Sequence, residues 1–513
     1  MSIQLIIPAA GVGQRFLDAG YNVHKSLIKV NNKPIIQHVI EMFPGVKDIS
    51  LIYNKETKVE LDEVKIIKIA PHKKGPVFSV SQVFDRIDDN NEVIIAYCDC
   101  VSVFSFDEFI VEARKYDGSI PCHIGFHPHM RGTDKYAFCR QQNKELLEIR
   151  EKESFTDNKF NEYASTGIYY FKTGALVKKY FKELMELDIN IRGEYYVSLI
   201  YNLLLRDGLK VNIFEVDKVL HLGTPYDVEE YLGWSNYFFN YFNRDYFLHD
   251  EKVSIIIPMA GRGDRFRKEG FLVPKPLIKL NCYPMFVRAV DMIPDGNKYF
   301  IILKEHSEKY SLDKKIKEYY PNSSTILEIQ EVTEGQACTC ELAIRNLNPE
   351  NPILISACDN GVVYNGEEYE RLIKDNDVVV WSFRGNQTSR VSPNSYSWLE
   401  IDENNYLIKE YSKYYPFLDS PLKHHAIIGT MYFRKAKYFS DALTRNKNFN
   451  IKTNNEYYVD DLLNTCLSAG LKVKVFESNS YICWGTPDDL KTYLYWQEFF
   501  VNKYQKYDYA SSY

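Results

Sequence analysis

"SIIIPMAGRGDRFRKEGFLVPKPLIKL" spans Ser254 to Leu280, and a paler copy, "QLIIPAAGVGQRFLDAGYNVHKSLIKV", spans Gln4 to Val30. Each opens as an apolar run that ends in small residues and glycine, the pattern of a buried parallel strand feeding a tight turn. The glycines of Ala260-Gly261-Arg262-Gly263 let backbone N–H groups approach an anion closely, and the forked guanidinium of Arg265 suits phosphate oxygens. Farther on, Lys275 supplies a second, point-like cation, aimed by the extended backbone that Pro274 and Pro276 impose. The turn is not a dinucleotide fingerprint, because Phe266 stands where the third glycine belongs, and it lacks the G-x-x-x-x-G-K-[ST] pattern of a P-loop. The first copy keeps Ala10, Gly11, Gly13, Arg15 and Lys25, but His24 and Ser26 replace the two prolines.

The pairing continues down the chain in unchanged order. Lys25 and Lys275 lie 250 residues apart, and the aspartates of "YCDC" and "ACDN", Asp99 and Asp359, lie 260 apart. "STGIYYF" at Gly167 pairs with "IIGTMYF" at Gly429, and "HLGTPYDVEEYLGW" pairs with "CWGTPDDLKTYLYW", both at an offset of 262. A period this long predicts two duplicated domains, 1–245 and 252–513, joined through the short charged stretch 243–252. In both halves apolar runs such as "DISLIYN", "EVIIAYCD" and "VVVWSF" alternate with helical patterns such as "KPIIQHVIEMF" and "GQACTCELAIRNL". This alternation predicts an α/β fold with two tandem doubly wound sheets. Each half closes on an aromatic-rich helix, expected to pack on its own domain.

The bulk numbers narrow the function. The 513 residues carry a formal net charge of −6, which leaves no electrostatic footprint for nucleic acid or an anionic membrane. The ten cysteines form no C-x-x-C pair and read as reduced thiols of a cytoplasmic protein. The N-terminal stretch lacks the features of a signal peptide, and no apolar run reaches membrane-spanning length. The partners expected are small molecules, with homo-oligomerisation left open.

Asp359 closes the apolar run "NPILISACD". A carboxylate at the C-terminal end of a buried strand faces the crevice of such a sheet, where it suits a hard divalent cation beside phosphates. A turn or helix-capping aspartate is the plainer alternative. The glycine turn, Arg265 and Lys275 upstream favour the first reading.

The succession G-x-G-x-R, P-K-P-L, a strand-end Asp, "LIKEYSK", "IIGTMYF", "NEYYV" and "WGTPDDL" resembles the sugar-phosphate nucleotidyltransferase family over nearly all of both halves. The resemblance implies a GT-A-like, Rossmann-like mixed sheet. It also implies a reaction in which an NTP and a phosphorylated sugar, polyol or amino alcohol give an NDP-linked product and pyrophosphate, with activated precursors for capsule or surface glycans as the use. By resemblance Arg265 and Lys275 carry the chemistry, while Ala260, Gly261 and Gly263 seat the triphosphate. Gly335 with Gln330 or Gln336 borders the base, Glu410, Gly429 and Glu456 meet the sugar, and Asp359 holds Mg²⁺. The first half offers Arg15 and Lys25 for the chemistry and Ala10, Gly11, Gly13 and Gly75 for the nucleotide. Its counterparts on the substrate side are Glu151, Lys152, Gly167 and Glu194, and Asp99 is its metal ligand.

Two departures stand out. The second metal-binding Asp of D-x-G-T-P is His221 in one half and Cys483 in the other, so metal binding rests on one Asp per half, with or without help from Asp460 or Asp461. The first half is either a second active site or a nucleotide-binding copy without turnover. A GT-A-type glycosyltransferase that consumes an NDP-sugar is the competing enzyme class.

Overall fold

The computed structural model describes residues 2–130, 134–242 and 249–510. The chain divides into two compact units, Met1–Leu232 and Gly233–Tyr513.

In the first unit the run "QLIIPA" forms the strand Ile3–Ala9, which pairs in parallel with both Asp48–Asn54 and Glu92–Ala96. The main sheet continues from Lys65–Ile69 through Asp48–Asn54, Ile3–Ala9, Glu92–Ala96, Ile168–Phe171 and Gly118–His123 to Val211–Glu215. Strand Ile168–Phe171 runs antiparallel to both neighbours, so the sheet is mixed. Alternation along the strands sorts the core into two layers. Ile6, Ile52 and Ile95 share one cluster with Val77, Val80, Phe181, Ile200 and Leu204 of the helices Gly75–Ser81, Gly174–Glu186 and Val197–Arg206. Leu5, Ile7, Leu51 and Ile94 share another with Ile36, Val39, Phe109 and Ile110 of the helices Ile35–Ile40 and Phe106–Ala113. Helices on both faces make the sheet doubly wound, as the uninterrupted apolar strands require.

The second unit has the same strand order along its main path: Ser324–Ile329, Asp295–Leu303, His249–Met259, Ile353–Ile355, His425–Phe433, Val378–Phe383 and Val473–Glu477. Its antiparallel member is His425–Phe433. The core includes Ile256, Ile301, Ile355 and Val380 against Ala337, Phe439 and Leu463.

The helix Pro225–Phe242 departs from expectation. Its residues from Gly233 onward belong to the second unit, because their rings pack there. Phe238 lies 5.6 Å from Phe500 and Trp234 lies 6.5 Å from Trp496, both stacked, against the helix Pro487–Ala510. Aromatic burial on this scale outweighs sequence proximity, so the units part at Leu232/Gly233 and not in the charged stretch. Of that stretch, residues 243–248 lie outside the described residues, as does the chain end 511–513. Among the described residues no helix is long and apolar enough to cross a membrane.

Candidate functional site

At the top of each first strand the chain turns through a glycine in the left-handed region, Gly13 at φ 69° and Gly263 at φ 65°, and enters a short helix. Phe16 and Phe266, each 1% exposed, pin these helices and leave the turn facing solvent. Arg15 and Arg265 are exposed, and neither guanidinium has a hydrogen-bond or ion-pair partner among the described residues. The lysine segment passes beneath the turn: a Cβ on Gly263 would sit 3.5 Å from the Lys275 Cβ.

The missing prolines of the first unit turn out to be replaced in kind. Pro274 has φ −62°, ψ 147°, and His24 adopts φ −58°, ψ 141°. Hydrogen bonds do what the ring does elsewhere. His24 Nε2 donates to the Gly11 carbonyl at 3.0 Å, Nδ1 meets Ser26 Oγ at 2.8 Å, and Ser26 Oγ meets the Tyr53 hydroxyl at 2.8 Å. Burial above all lowers the His24 pKa to about 4, so the ring is neutral and can both donate and accept.

Lys25 pairs with Asp99, and Lys275 with Asp359. Burial works against each ammonium, but the facing carboxylate more than offsets it, and both lysines sit above their ordinary range. Burial likewise opposes the Asp99 charge, and Lys25 outweighs it, so that carboxyl sits below its ordinary range. The G-T-P turn closes over each aspartate. The Leu222 amide donates to the Asp99 carbonyl and the Trp484 amide to the Asp359 carbonyl, both at 2.8 Å. A Cβ on Gly223 would come 2.9 Å from Asp99 Oδ2, and one on Gly485 would come 3.3 Å from Asp359 Oδ2. An added side chain would crowd the carboxylate in both units, more tightly at Gly223 than at Gly485.

His221 and Cys483 lie on the adjoining strands, opposite Cys100 and Asn360. Burial, then His129, lowers the His221 pKa to about 3, and burial pushes the Cys483 thiol up to about 12, so the uncoordinated thiol stays protonated at neutral pH. Among the described residues no group of three or more His, Cys, Asp or Glu side chains is placed to hold a metal. One carboxylate per crevice still suits magnesium, which takes one or two carboxylates and completes its shell with phosphate oxygens and water. Asp460 and Asp461 are otherwise engaged: Ser397 donates to Asp460, and Ser412 and Thr453 meet Asp461.

On the expected base side, Gly75 and Gly335 have φ 82° and 132° and lie against the E-Y-Y segment. Tyr195 N donates to the Lys74 carbonyl at 3.0 Å and Val77 N to the Tyr195 carbonyl at 3.1 Å. The second unit repeats this with Tyr457 N to Glu334 O and Ala337 N to Tyr457 O, both at 2.9 Å. Gln336 heads the helix Gln336–Ile344, half-buried, with Pro76 in its place in the first unit. Gln330 is exposed, just past the strand Ser324–Ile329.

On the expected substrate side, Gly167 and Gly429 have φ 79° and 90°. Glu194 accepts from the Tyr196 hydroxyl, Lys152 donates to the same hydroxyl, and Ser198 donates to Glu151 at 2.7 Å. Glu456 is exposed beside Tyr458. Glu410 is placed differently from Glu151. Asn202 brackets the backbone of Ile149, bonding its N–H at 3.1 Å and its carbonyl at 2.8 Å, and Asn464 brackets Glu410 in the same way, at 3.0 Å for both. Glu410 thus takes the place of Ile149, is 3% exposed, and Ser412 stands where Glu151 does. Lys413, absent from the sequence reading, is the counterpart of Lys152. Both have positive φ, 51° and 59°, and the Lys413 ammonium lies 5.3 Å from the Tyr458 ring centroid. The signal was an offset of 261, between the 260 of the aspartates and the 262 of the glycines.

Ser412 Oγ lies 2.6 Å from Glu410 Oε1 and 2.5 Å from Asp461 Oδ1. One hydroxyl carries one hydrogen, so one of the two carboxyls must hold a proton. Burial, then the Asp460 charge, raises the Glu410 pKa from its ordinary 4.5 to about 8, which assigns the proton to Glu410. Between those values the folded state binds a proton that the unfolded chain lacks. The stabilisation is therefore complete below about 4.5 and is lost as pH rises through about 8. The expected result is a lower urea midpoint for the second unit at pH 9 than at pH 6, and a flatter profile for Glu410→Gln, whose amide still donates to Ser412.

Residues 4–194 match the family model described as nucleotidyl transferase. That segment of the chain is similar to the nucleotidyl transferase family. It is 27% identical over 236 residues to the bifunctional protein GlmU of Methanocaldococcus jannaschii, covering 44% of this chain and 52% of that protein, so it spans about half the length of this curated relative. Among solved structures it is similar to the nucleoside-diphosphate-sugar pyrophosphorylase of Vibrio cholerae RC9, with 20% identity, 47% of this chain, 99% of that one and a TM-score of 0.39. It is also similar to the inositol-1-phosphate CTP transferase of T. maritima, with 15% identity, 49% and 97% coverage and a TM-score of 0.38. The family match falls on the half whose motifs depart further from the pattern.

Proposed function

We propose that each unit transfers a nucleotidyl group from an NTP to a phosphorylated small molecule and releases pyrophosphate, and that the units arose by duplication of one domain. The observation that carries this reading is the matched Lys–Asp pair under an open glycine turn with an unpaired arginine, built once in each unit. An oxygen of the acceptor phosphate forms a bond to the α-phosphorus, the bond from that phosphorus to the α–β bridging oxygen breaks, and pyrophosphate leaves in line. Positioning and charge neutralisation dominate such a transfer. Arg265 and the turn amides, with Arg15 in the first unit, hold the triphosphate. Lys275 and Lys25 lie between the α-phosphate and the incoming phosphate. Asp359 and Asp99 would hold Mg²⁺, which supplies charge neutralisation at the phosphates when bound. Gly335 and Gly75, with Gln336 or Gln330 in the second unit, border the base, while Glu151, Lys152, Gly167, Glu194, Gly429, Glu456 and Lys413 face the acceptor. The use we infer is the cytoplasmic supply of activated precursors for capsule or surface glycans.

Incubation of the full chain with each NTP, Mg²⁺ and a panel of phosphorylated sugars, polyols and amino alcohols is expected to release pyrophosphate for at least one pair. Release of free NDP from an NDP-sugar, with no pyrophosphate from any pair, would favour a glycosyltransferase instead.

A further inference from the structure

The strand Asn360–Val363 follows Asp359 directly and is buried throughout. Its second residue is a glycine whose side-chain place is taken by two rings. A Cβ built on Gly361 would come 2.9 Å from the Tyr237 hydroxyl, and 2.9 and 3.0 Å from Cη2 and Cζ2 of Trp484. Tyr237 lies in the part of the helix Pro225–Phe242 that belongs to the second unit. It is 1% exposed, and Trp484 is fully buried. Tyr493 packs edge-on against both, 6.5 Å from Tyr237 and 5.2 Å from Trp484. The Tyr237 hydroxyl also meets the Met292 sulfur at 3.9 Å.

This block of rings reaches the crevice by two main-chain routes. Gly361 stands two residues past Asp359, and the Trp484 amide donates to the Asp359 carbonyl at 2.8 Å. The ladder between them pairs Asn360 with Cys483 and Gly361 with Ile482. The first unit repeats the ladder, Cys100 with His221 and Val101 with Leu220, without the block. There Val101 stands for Gly361 and packs on the core of its unit with its own side chain, and Leu222 stands for Trp484.

We propose that Tyr237 is a positioning residue for the second crevice: wedged with Trp484 against Gly361, it holds the main chain around Asp359 and so fixes the carboxylate toward Lys275 and the Mg²⁺ it would bind. The proposal rests on the nucleotidyltransferase reading. Removing the ring leaves a void beside a strand that has no side chain there to fill it, and a metal ligand whose support shifts loses affinity.

The test uses the full chain with one metal carboxylate removed at a time, Asp99→Asn to read the second crevice and Asp359→Asn to read the first. Mn²⁺ binding in the presence of each NTP is followed by electron paramagnetic resonance of the free ion, and pyrophosphate release is followed against Mg²⁺ concentration. In the Asp99→Asn chain, Tyr237→Ala is expected to weaken Mn²⁺ binding about tenfold and to raise the Mg²⁺ concentration for half-maximal release by a similar factor. In the Asp359→Asn chain it is expected to change neither. Tyr237→Phe, which keeps the ring against Gly361, is expected to recover most of the affinity that Tyr237→Ala loses. Gly361→Ala, which drives a methyl between the strand and the rings, is expected to weaken Mn²⁺ binding as well, a readout that survives if Tyr237→Ala fails to fold. Mn²⁺ affinity unchanged by both Tyr237→Ala and Gly361→Ala, or lowered equally in the two crevices, overturns the positioning role alone. No pyrophosphate from the unmodified chain with any NTP and acceptor overturns the nucleotidyltransferase reading, and the positioning role with it.

Discussion

Lys275→Ala is expected to slow pyrophosphate release by the second crevice by at least one to two decades while hardly moving the melting of the protein. Hydrogen bonds to charged groups contribute about 1.5–3 kcal/mol, which converts to roughly ten- to a hundredfold in rate when the contact is made in the transition state. The lysine remains an ammonium through the neutral range, since its pairing with Asp359 holds its pKa above the ordinary value, so the whole effect is available at working pH. Its contribution to folding is smaller. The two side chains are 21% and 26% exposed, and water screens a pair of this kind, so its loss costs about 1 kcal/mol or less. Turnover and thermal melting of Lys275→Ala, Lys25→Ala and the double variant separate the crevices. Loss confined to Lys275→Ala would make the first unit a binding copy without turnover. Unchanged turnover in both single variants and in the double variant would remove the lysines from phosphate handling.

Gly335→Ala is expected to destabilise the second unit by about 2–4 kcal/mol, because two penalties coincide. The backbone sits at φ 132°, a conformation that residues with a Cβ rarely adopt, and the added methyl would come 2.6 Å from Tyr457 N and 2.7 Å from Tyr457 O. Those are the atoms that bond Glu334 and Ala337, and backbone cannot step aside as the end of a flexible side chain can. Urea unfolding of Gly335→Ala beside Gly366→Ala, a helix position with nothing within 4 Å of an added Cβ, measures the difference. Equal midpoints would show that the segment around Tyr457 yields.

The strands were legible where apolar runs were unbroken. "DISLIYN" and "VVVWSF" became Asp48–Asn54 and Val378–Phe383 without change, since a strand buried on both faces leaves little freedom of register. The glycine turns, the lysines and the strand-end aspartates were legible for a similar reason: their chemistry depends on residue type at fixed spacing, and spacing is what a sequence records. Three features were not. His24 matches Pro274 through hydrogen bonds to Gly11 and Ser26, and no local propensity of histidine announces that conformation. Glu410 looked like the partner of Glu151 because both are glutamates near a lysine, but the asparagines of the neighbouring helices show it two residues out of step. The division inside Pro225–Phe242 depends on which rings meet in space, and the helical pattern runs through it without a break.

The tie between Gly335 and Tyr457, and its twin between Gly75 and Tyr195, has a consequence for genetics. On the function proposed above, the donor and acceptor seats hang from the same two peptide groups, so damage to one is inherited by the other. A library selected for a new base at the Gly335 turn is then expected to drag acceptor choice along with it, and engineers seeking independent control of the two would work from side chains such as Gln336 and Lys413, leaving the shared main chain alone.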